Sequence, residues 1–240
     1  MADLHGLVIH LERATARAGQ VARLIGALPF PGEVLPAVDA RAPGGLPAGH
    51  DPALSLEPRY PFPLTDVEVA IFHSHRRAWS RIVEAGWDGA LILEDDATLD
   101  PEAFPAALEI AREAFAPDRF IRLPIKDREA GGEVVAERGG LRVVRPAVIA
   151  LNLQAQLVGR EAAERLLAAS ARFDRPVDTW LQMRWVHGVD ILSVWPTGVG
   201  EASGDLGGST QKKRRGTLAR ISAEIARSRY RRRIAALSRR

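Results

Sequence analysis

The chain has 240 residues, 46% hydrophobic and 26% charged, which suffices for a buried core and excludes a disordered segment. It holds no cysteine, so disulfides, iron–sulfur clusters, thiolate zinc sites and cysteine nucleophiles are excluded. No apolar run reaches the roughly 18 residues of a bilayer span, and Met1–Glu12 lacks the layout of an export signal, so a cytoplasmic location is expected.

Leu7-Val8-Ile9-His10-Leu11 is short, apolar and β-prone, and predicts a first strand. Val21, Leu24, Ile25 and Leu28 have helical spacing, so a helix over Ala14–Leu28 follows, ended by Pro29 and Pro31. Val34–Val38 suits a second short strand, and the Gly- and Pro-rich stretch Asp39–Pro63 a long loop. Thr65-Asp66-Val67-Glu68 is a capping box opening a helix that Gly86 stops. Ala90-Leu91-Ile92-Leu93 is apolar on both faces, the mark of a central strand, and leads straight into Glu94-Asp95-Asp96. Asp100-Pro101 restarts a helix to Ala116, Phe120–Leu123 is another strand, and Glu133–Val144 reads as a hairpin turning at Gly139-Gly140. Val148–Val158 is expected to be extended and Gly159–Ala169 helical. A helix is expected from Pro176 to Gly188, a strand over Asp190–Trp195, a loop over Thr197–Gln211, and a helical tail from Thr217. This order predicts an α/β sandwich with some antiparallel insertion.

The acidic triplet carries the chemistry. Strand side chains alternate, so Glu94 and Asp96 are expected on one side and Asp95 on the other. Two carboxylates at the end of a strand suit a hard cation, Mn²⁺ or Mg²⁺, which keeps waters and takes substrate phosphates as further ligands. Open α/β sheets bind ligands at the carboxyl ends of their strands. The bland alternative is a solvated acidic turn, and the triplet alone does not separate a glycosyltransferase from a Mg-dependent phosphohydrolase or nuclease.

A wider pattern does. Val8-Ile9-His10-Leu11-Glu12-Arg13 with Arg17, then Ala37-Val38-Asp39-Ala40, resembles the opening motifs of bacterial glycosyltransferase family 25, the lipooligosaccharide/lipopolysaccharide biosynthesis family. Leu64-Thr65, Glu68, Ser74-His75, Trp79 and Ala90–Asp96 are similar to its core signature, and Pro176-Val177-Asp178 and Gly208-Ser209-Thr210 to later motifs. The chain departs from the family's usual Asn at His10 and its usual Gly at Val67. The resemblance implies a GT-A-like nucleotide-sugar-binding fold over residues 1–211 and inverting transfer of a hexose, often galactose from UDP-galactose, to a glycan acceptor. Glu94 and Asp96 then take the outer positions of the family's metal-binding element, with Mn²⁺ or Mg²⁺ acting as Lewis acid on the leaving diphosphate.

The remaining candidates each have a structural alternative. Asp178 is a candidate general base or acceptor ligand, or else an acid complementing a helix dipole. Glu68 is a catalytic candidate, or else only the cap. His75 is a donor contact or a core histidine, and His187 a further metal ligand or a cation favoured at a helix C-terminus. Arg13 and Arg17 suit a donor phosphate or a solvated helix face, and Asp39 a ribose or base contact or a turn cap. Asp95, Ser209, Thr210 and Lys212 complete the donor-binding set, the last three in a Gly-flanked loop able to close over a diphosphate, or in a plain linker.

Residues 212–240 hold twelve Lys or Arg against Glu224 alone, leaving 21 basic and 29 acidic residues in 1–211. The net charge of +3 therefore hides an acidic body with a basic tail, and nucleic acid is not the expected partner of the body. Leu218, Ile221 and Ile225 share a helical face, continued loosely by Tyr230, Ile234 and Leu237, so the tail reads as an amphipathic helix for an anionic membrane surface. A lipid-linked acceptor at the inner face of the inner membrane would account for it. RNA binding and disorder are its rivals, and a non-catalytic membrane- or RNA-binding module is the rival for the whole chain.

Overall fold

A computed structural model describes residues 2–54, 56–129, 132–202 and 217–239. The first strand, β1 (Leu4–His10), pairs in parallel with β2 (Gly32–Pro36) on one side and β3 (Gly89–Glu94) on the other. Beyond β3 lie β8 (Ala155–Gly159), antiparallel to both its neighbours, then β5 (Arg119–Arg122), β9 (Asp190–Trp195), β7 (Leu141–Arg145) and β6 (Glu133–Arg138). This mixed sheet has eight strands in the order β2-β1-β3-β8-β5-β9-β7-β6. A second, two-stranded sheet pairs β4 (Ala97–Leu99) with β10 (Val199–Glu201).

Helices cover both faces, which makes an α/β/α sandwich. Leu7, Ile9, Ala90 and Ile92 face α2 (Asp66–Ala85) and α4 (Arg160–Ala169), while Val8, Leu91 and Leu93 face α1 (Ala18–Gly26) and α3 (Ala103–Glu113). The alternation along β1 and β3 is apolar toward both layers, as a strand buried on two faces requires. The capping box forms: Thr65 Oγ1 accepts from the Glu68 amide at 3.3 Å, and Glu68 Oε2 accepts from the Thr65 amide at 2.7 Å. Gly86 ends α2 with φ 71°, where a side chain would be strained. Asp100 Oδ1 accepts from the amides of Glu102 and Ala103 at the start of α3.

The helix expected from Pro176 to Gly188 is two helices, α5 (Val177–Leu181) and α6 (Arg184–His187), broken where Met183 takes non-helical angles (φ −92°, ψ 63°) and is fully buried. Of the stretch expected to be extended over 148–158, only its end joins the sheet. The loop expected from Thr197 contains a short strand, β10, over Val199–Glu201. The tail helix α7 (Thr217–Leu237) packs on the body through Tyr230 and Ile234, against Met183. Ile225, expected on the apolar face of the tail helix, is exposed, whereas Tyr230 and Ile234, expected to continue that face, are buried. The boundary expected at 211/212 lies outside the described residues. Among those residues no helix is long and apolar enough to cross a membrane.

Candidate active site

The parallel run β2-β1-β3 brings three strand ends together. Ile9 stands opposite Leu35 on one side and Glu94 on the other. β3 stops at Glu94, and Asp95-Asp96 lie on the turn into β4, so the strict alternation expected of the triplet does not continue past Glu94. All three acids line one cleft of about 400 Å³, together with Arg13, Arg17, Asp39 and His75.

Each acid has its own surroundings. Asp95 is buried, with Oδ2 at 2.8 Å from His10 Nδ1 and Oδ1 accepting from Arg17 Nη1 at 2.5 Å. It is therefore a tie between β1, the turn at 15–17 and β3, with both oxygens engaged. His10, one of the departures from the family pattern, supplies half of that tie. Glu94 Oε1 lies 3.3 Å from His75 Nε2, and Gln156 Nε2 reaches His75 Nδ1 at 3.3 Å. The Gln156 contact makes Nδ1 the acceptor, so Nε2–H donates to Glu94. His75 thus lies behind Glu94 as a buried support. Asp96 Oδ1 is buried without a partner among the described residues, and Arg17 Nη1 stands 3.5 Å from its Oδ2. Burial, and next the neighbouring Glu94 charge, push the Asp96 carboxyl up to about 6.

Arg13 Nε donates to Asp39 Oδ2 at 2.8 Å, and the Arg41 amide to Asp39 Oδ1 at 2.9 Å, which gathers the ends of β1 and β2 at the cleft rim. These bonds, the amide first, hold the Asp39 carboxyl below its ordinary range. Ser74 Oγ accepts from the Val38 amide at 2.8 Å. Ser209, Thr210 and Lys212 lie outside the described residues.

A second cleft of about 380 Å³ adjoins the first and shares Glu94 and Ile71 with it. Its walls include Tyr60, Glu68, Asn152, Gln154 and Asp178. Asp178 Oδ1 accepts from the Thr179 amide at 2.6 Å and Oδ2 from the Asn152 amide at 3.3 Å. Burial raises its pKa against the lowering effect of those bonds. Asn152 has φ 107°, a backbone conformation few side chains tolerate. It is held there because its carbonyl accepts from Arg122 Nη2 at 2.7 Å and its Oδ1 from the Gln154 amide at 3.2 Å. Arg122 is itself buried and ion-paired to Glu129, whose Oε2 accepts from the Ala150 amide. Strain held in this way clusters at functional sites.

Two sequence expectations change. His187 is not a ligand for the triplet: Nδ1 accepts from the Val189 amide at 3.1 Å and Nε2–H donates to the Leu181 carbonyl at 3.0 Å, so both ring nitrogens are taken. Glu68 reaches the rim of the second cleft, but the Thr65 amide and hydroxyl engage its carboxylate oxygen as a cap. The sequence missed His10, Asn152, Tyr60 and Gln156 as site residues. Only His10 left a signal in the sequence, as the departure from the family's usual Asn at the end of the first strand.

Among the described residues no three His or carboxylate groups converge as a ready metal site. The oxygens present still fit a hard divalent cation of the kind held by one or two carboxylates, waters and substrate phosphates. Asp96 offers an unpartnered buried oxygen, and Glu94 a second carboxylate whose repulsion a cation relieves.

A parallel-edge cleft rich in carboxylate and arginine, joined to a second polar cleft, is what an enzyme needs to bring two substrates together. The chain matches the model of glycosyltransferase family 25 (LPS biosynthesis protein) over residues 3–130, and it belongs to that family. It is a glycosyltransferase. No curated protein sequence matches it. Among solved structures it is similar to mannose-1-phosphate geranyltransferase from Thermus thermophilus, with 11% identity over 80% of this chain and 73% of that chain and a TM-score of 0.39.

Proposed function

We propose that the enzyme has a GT-A-like fold, binds a UDP-sugar in the first cleft, and transfers its hexose, galactose in this reading, with inversion to a lipooligosaccharide-type glycan in the second. The observation that carries this is the meeting of the two clefts at Glu94. A donor with its diphosphate near Asp96 and Arg17 would present its sugar toward the acceptor side. Glu94 and Asp96 would hold Mn²⁺ or Mg²⁺, which when bound supplies Lewis-acid stabilisation of the leaving diphosphate. Arg13 and Arg17 add positive charge at the same end, and Asp39 is placed for the nucleoside.

Asp178 is the proposed base. It accepts the proton of the attacking acceptor hydroxyl as the new glycosidic bond forms and the bond to the diphosphate breaks. A carboxylate whose pKa burial raises is a better base than a solvated one. On the outside of α7, Arg229, Arg231, Arg232 and Arg239 are exposed, with no ion-pair partner among the described residues. They favour an anionic membrane surface carrying a lipid-linked acceptor at the inner face of the inner membrane. Because Tyr230 and Ile234 are buried against the body, the attraction is electrostatic and not insertion of an apolar face.

The test is calorimetric titration of UDP-galactose, UDP-glucose, GDP-mannose and CMP-sialic acid, each with Mn²⁺ and with EDTA. One UDP-sugar is expected to bind in a metal-dependent way, and Asp96→Ala is expected to lower transfer at least about 100-fold, the scale of losing a main electrostatic stabiliser. A fully active Asp96→Ala enzyme refutes the assignment. Phosphate release from simple esters without an acceptor would instead favour a phosphohydrolase.

A further inference from the structure

Arg175 is fully buried and holds several parts of the chain at once. It is paired to Asp174 through Nε at 2.6 Å and Nη2 at 2.8 Å. It also donates to the Pro58 carbonyl at 2.9 Å, the Leu56 carbonyl at 3.0 Å and the Tyr230 hydroxyl at 2.9 Å. Three residues further on is Asp178. Tyr230 lies edge-on to Tyr60, with ring centroids 5.4 Å apart and planes at 81°, and Tyr60 lines the second cleft beside Asp178. Two neighbours reinforce the same seam: the Arg227 guanidinium sits 5.3 Å over the Phe62 ring, and Arg233 lies 3.7 Å from Glu57.

The segment 56–62 holds Pro58 and Pro61, is followed by Pro63 and has no regular structure, so no helix or strand hydrogen bonding of its own fixes where Tyr60 stands. Its position is set from below by Arg175 and from the side by Tyr230. We infer that the C-terminal helix braces the acceptor cleft from behind, with Tyr230 as the positioning residue that holds Tyr60 against the Asp178 wall. An aromatic ring there offers a flat apolar surface to the C–H face of a sugar, while Asp178 and Asn152 serve its hydroxyls. The inference rests on the reading of the second cleft as the acceptor site. It makes acceptor affinity, and not donor affinity, depend on the seating of α7.

The experiment uses the full chain. Because the protein has no cysteine, Glu57→Cys with Arg233→Cys gives one bis-maleimide crosslink that reports whether α7 is seated. With UDP-galactose as donor and a lipooligosaccharide core as acceptor, Tyr230→Ala is expected to lower the crosslink yield several-fold, and to raise the acceptor KM about tenfold while the donor KM stays within about twofold. Tyr230→Phe keeps the ring edge and is expected to retain most of the acceptor affinity. Where Tyr230→Ala does not fold, Tyr230→Leu keeps apolar volume, removes ring and hydroxyl, and is read the same way. An unchanged acceptor KM, or equal rises for donor and acceptor, overturns the inference. A wild-type chain that binds no nucleotide sugar would sink the functional reading instead. The crosslink then still decides the clamp, which a yield indifferent to Tyr230 overturns and a fall upholds.

Discussion

His187 tests whether the buried side of the site is understood energetically. Burial, first among the causes, holds its pKa down at about 4, against the ordinary 6.5. Between those two pH values the unfolded chain binds a proton that the folded chain does not, so stability present above pH 6.5 is lost as the pH falls toward 4. A shift of this size corresponds to about 3 kcal/mol once the pH is below 4, and to about 2 kcal/mol at pH 5. His187→Gln can donate to the Leu181 carbonyl and accept from the Val189 amide, yet it does not titrate. At pH 7.5 the variant is expected to be less stable by about 1 kcal/mol, for the ring lost from beside Trp180. At pH 5 the order should invert, with the variant melting a few degrees above the wild type, since each kcal/mol is worth about 2–4 °C in a chain of this size. Thermal melts at pH 7.5, 6 and 5 in EDTA measure this directly. A melting difference that is the same at all three values would refute the reasoning. Mn²⁺ stabilisation that requires His187 would restore it as a ligand.

Three further outcomes are expected. Asp178→Asn should lower kcat by about 10²–10⁴-fold, the range of a lost general base, while calorimetric donor affinity stays unchanged; an unaltered kcat removes Asp178 from that role. His75→Ala takes away the support behind Glu94 and should lower transfer roughly 10–100-fold, as losing an outer partner of a metal-binding carboxylate does; wild-type rates would show that Glu94 needs no orientation. Replacing Arg229, Arg231, Arg232 and Arg239 by Glu should abolish co-sedimentation with anionic vesicles, at about 1 kcal/mol per arginine. Undiminished vesicle binding in the variant would rule out the helix as the membrane contact.

Local chemistry made much of this legible. The capping box, the Gly86 stop, the Gly139-Gly140 hairpin and the two-sided apolar run before Glu94 each declare themselves within a few residues. What stayed hidden depends on residues far apart in the chain. β4 and β10 are three residues each, too short for a period, and pair across about a hundred residues. Asp95 reads as one of three equal acids until β1 sets His10 and Arg17 beside it. The φ of Asn152 is held by Gln154 nearby but also by Arg122, 30 residues away, which no local pattern announces. His187 shows the same limit in reverse: a histidine near a helix end looks available until the backbone groups of Leu181 and Val189 claim both nitrogens. In the tail, charge was readable, but the docking through Tyr230 and Ile234 was not, because its partners lie at 56–60 and 183.

The meeting of the two clefts at Glu94 and Ile71 has a consequence for how such an enzyme can diversify. Among the described residues, those lining the first cleft fall between Ile9 and Asp96, inside the stretch the family model covers, whereas the second cleft draws Tyr60, Glu68 and Glu94 from that stretch and Asn152, Gln154 and Asp178 from beyond it. On the proposed reading, in which the second cleft takes the acceptor, substitutions at 151–154 and 176–179 would reshape that cleft and leave the described lining of the first untouched.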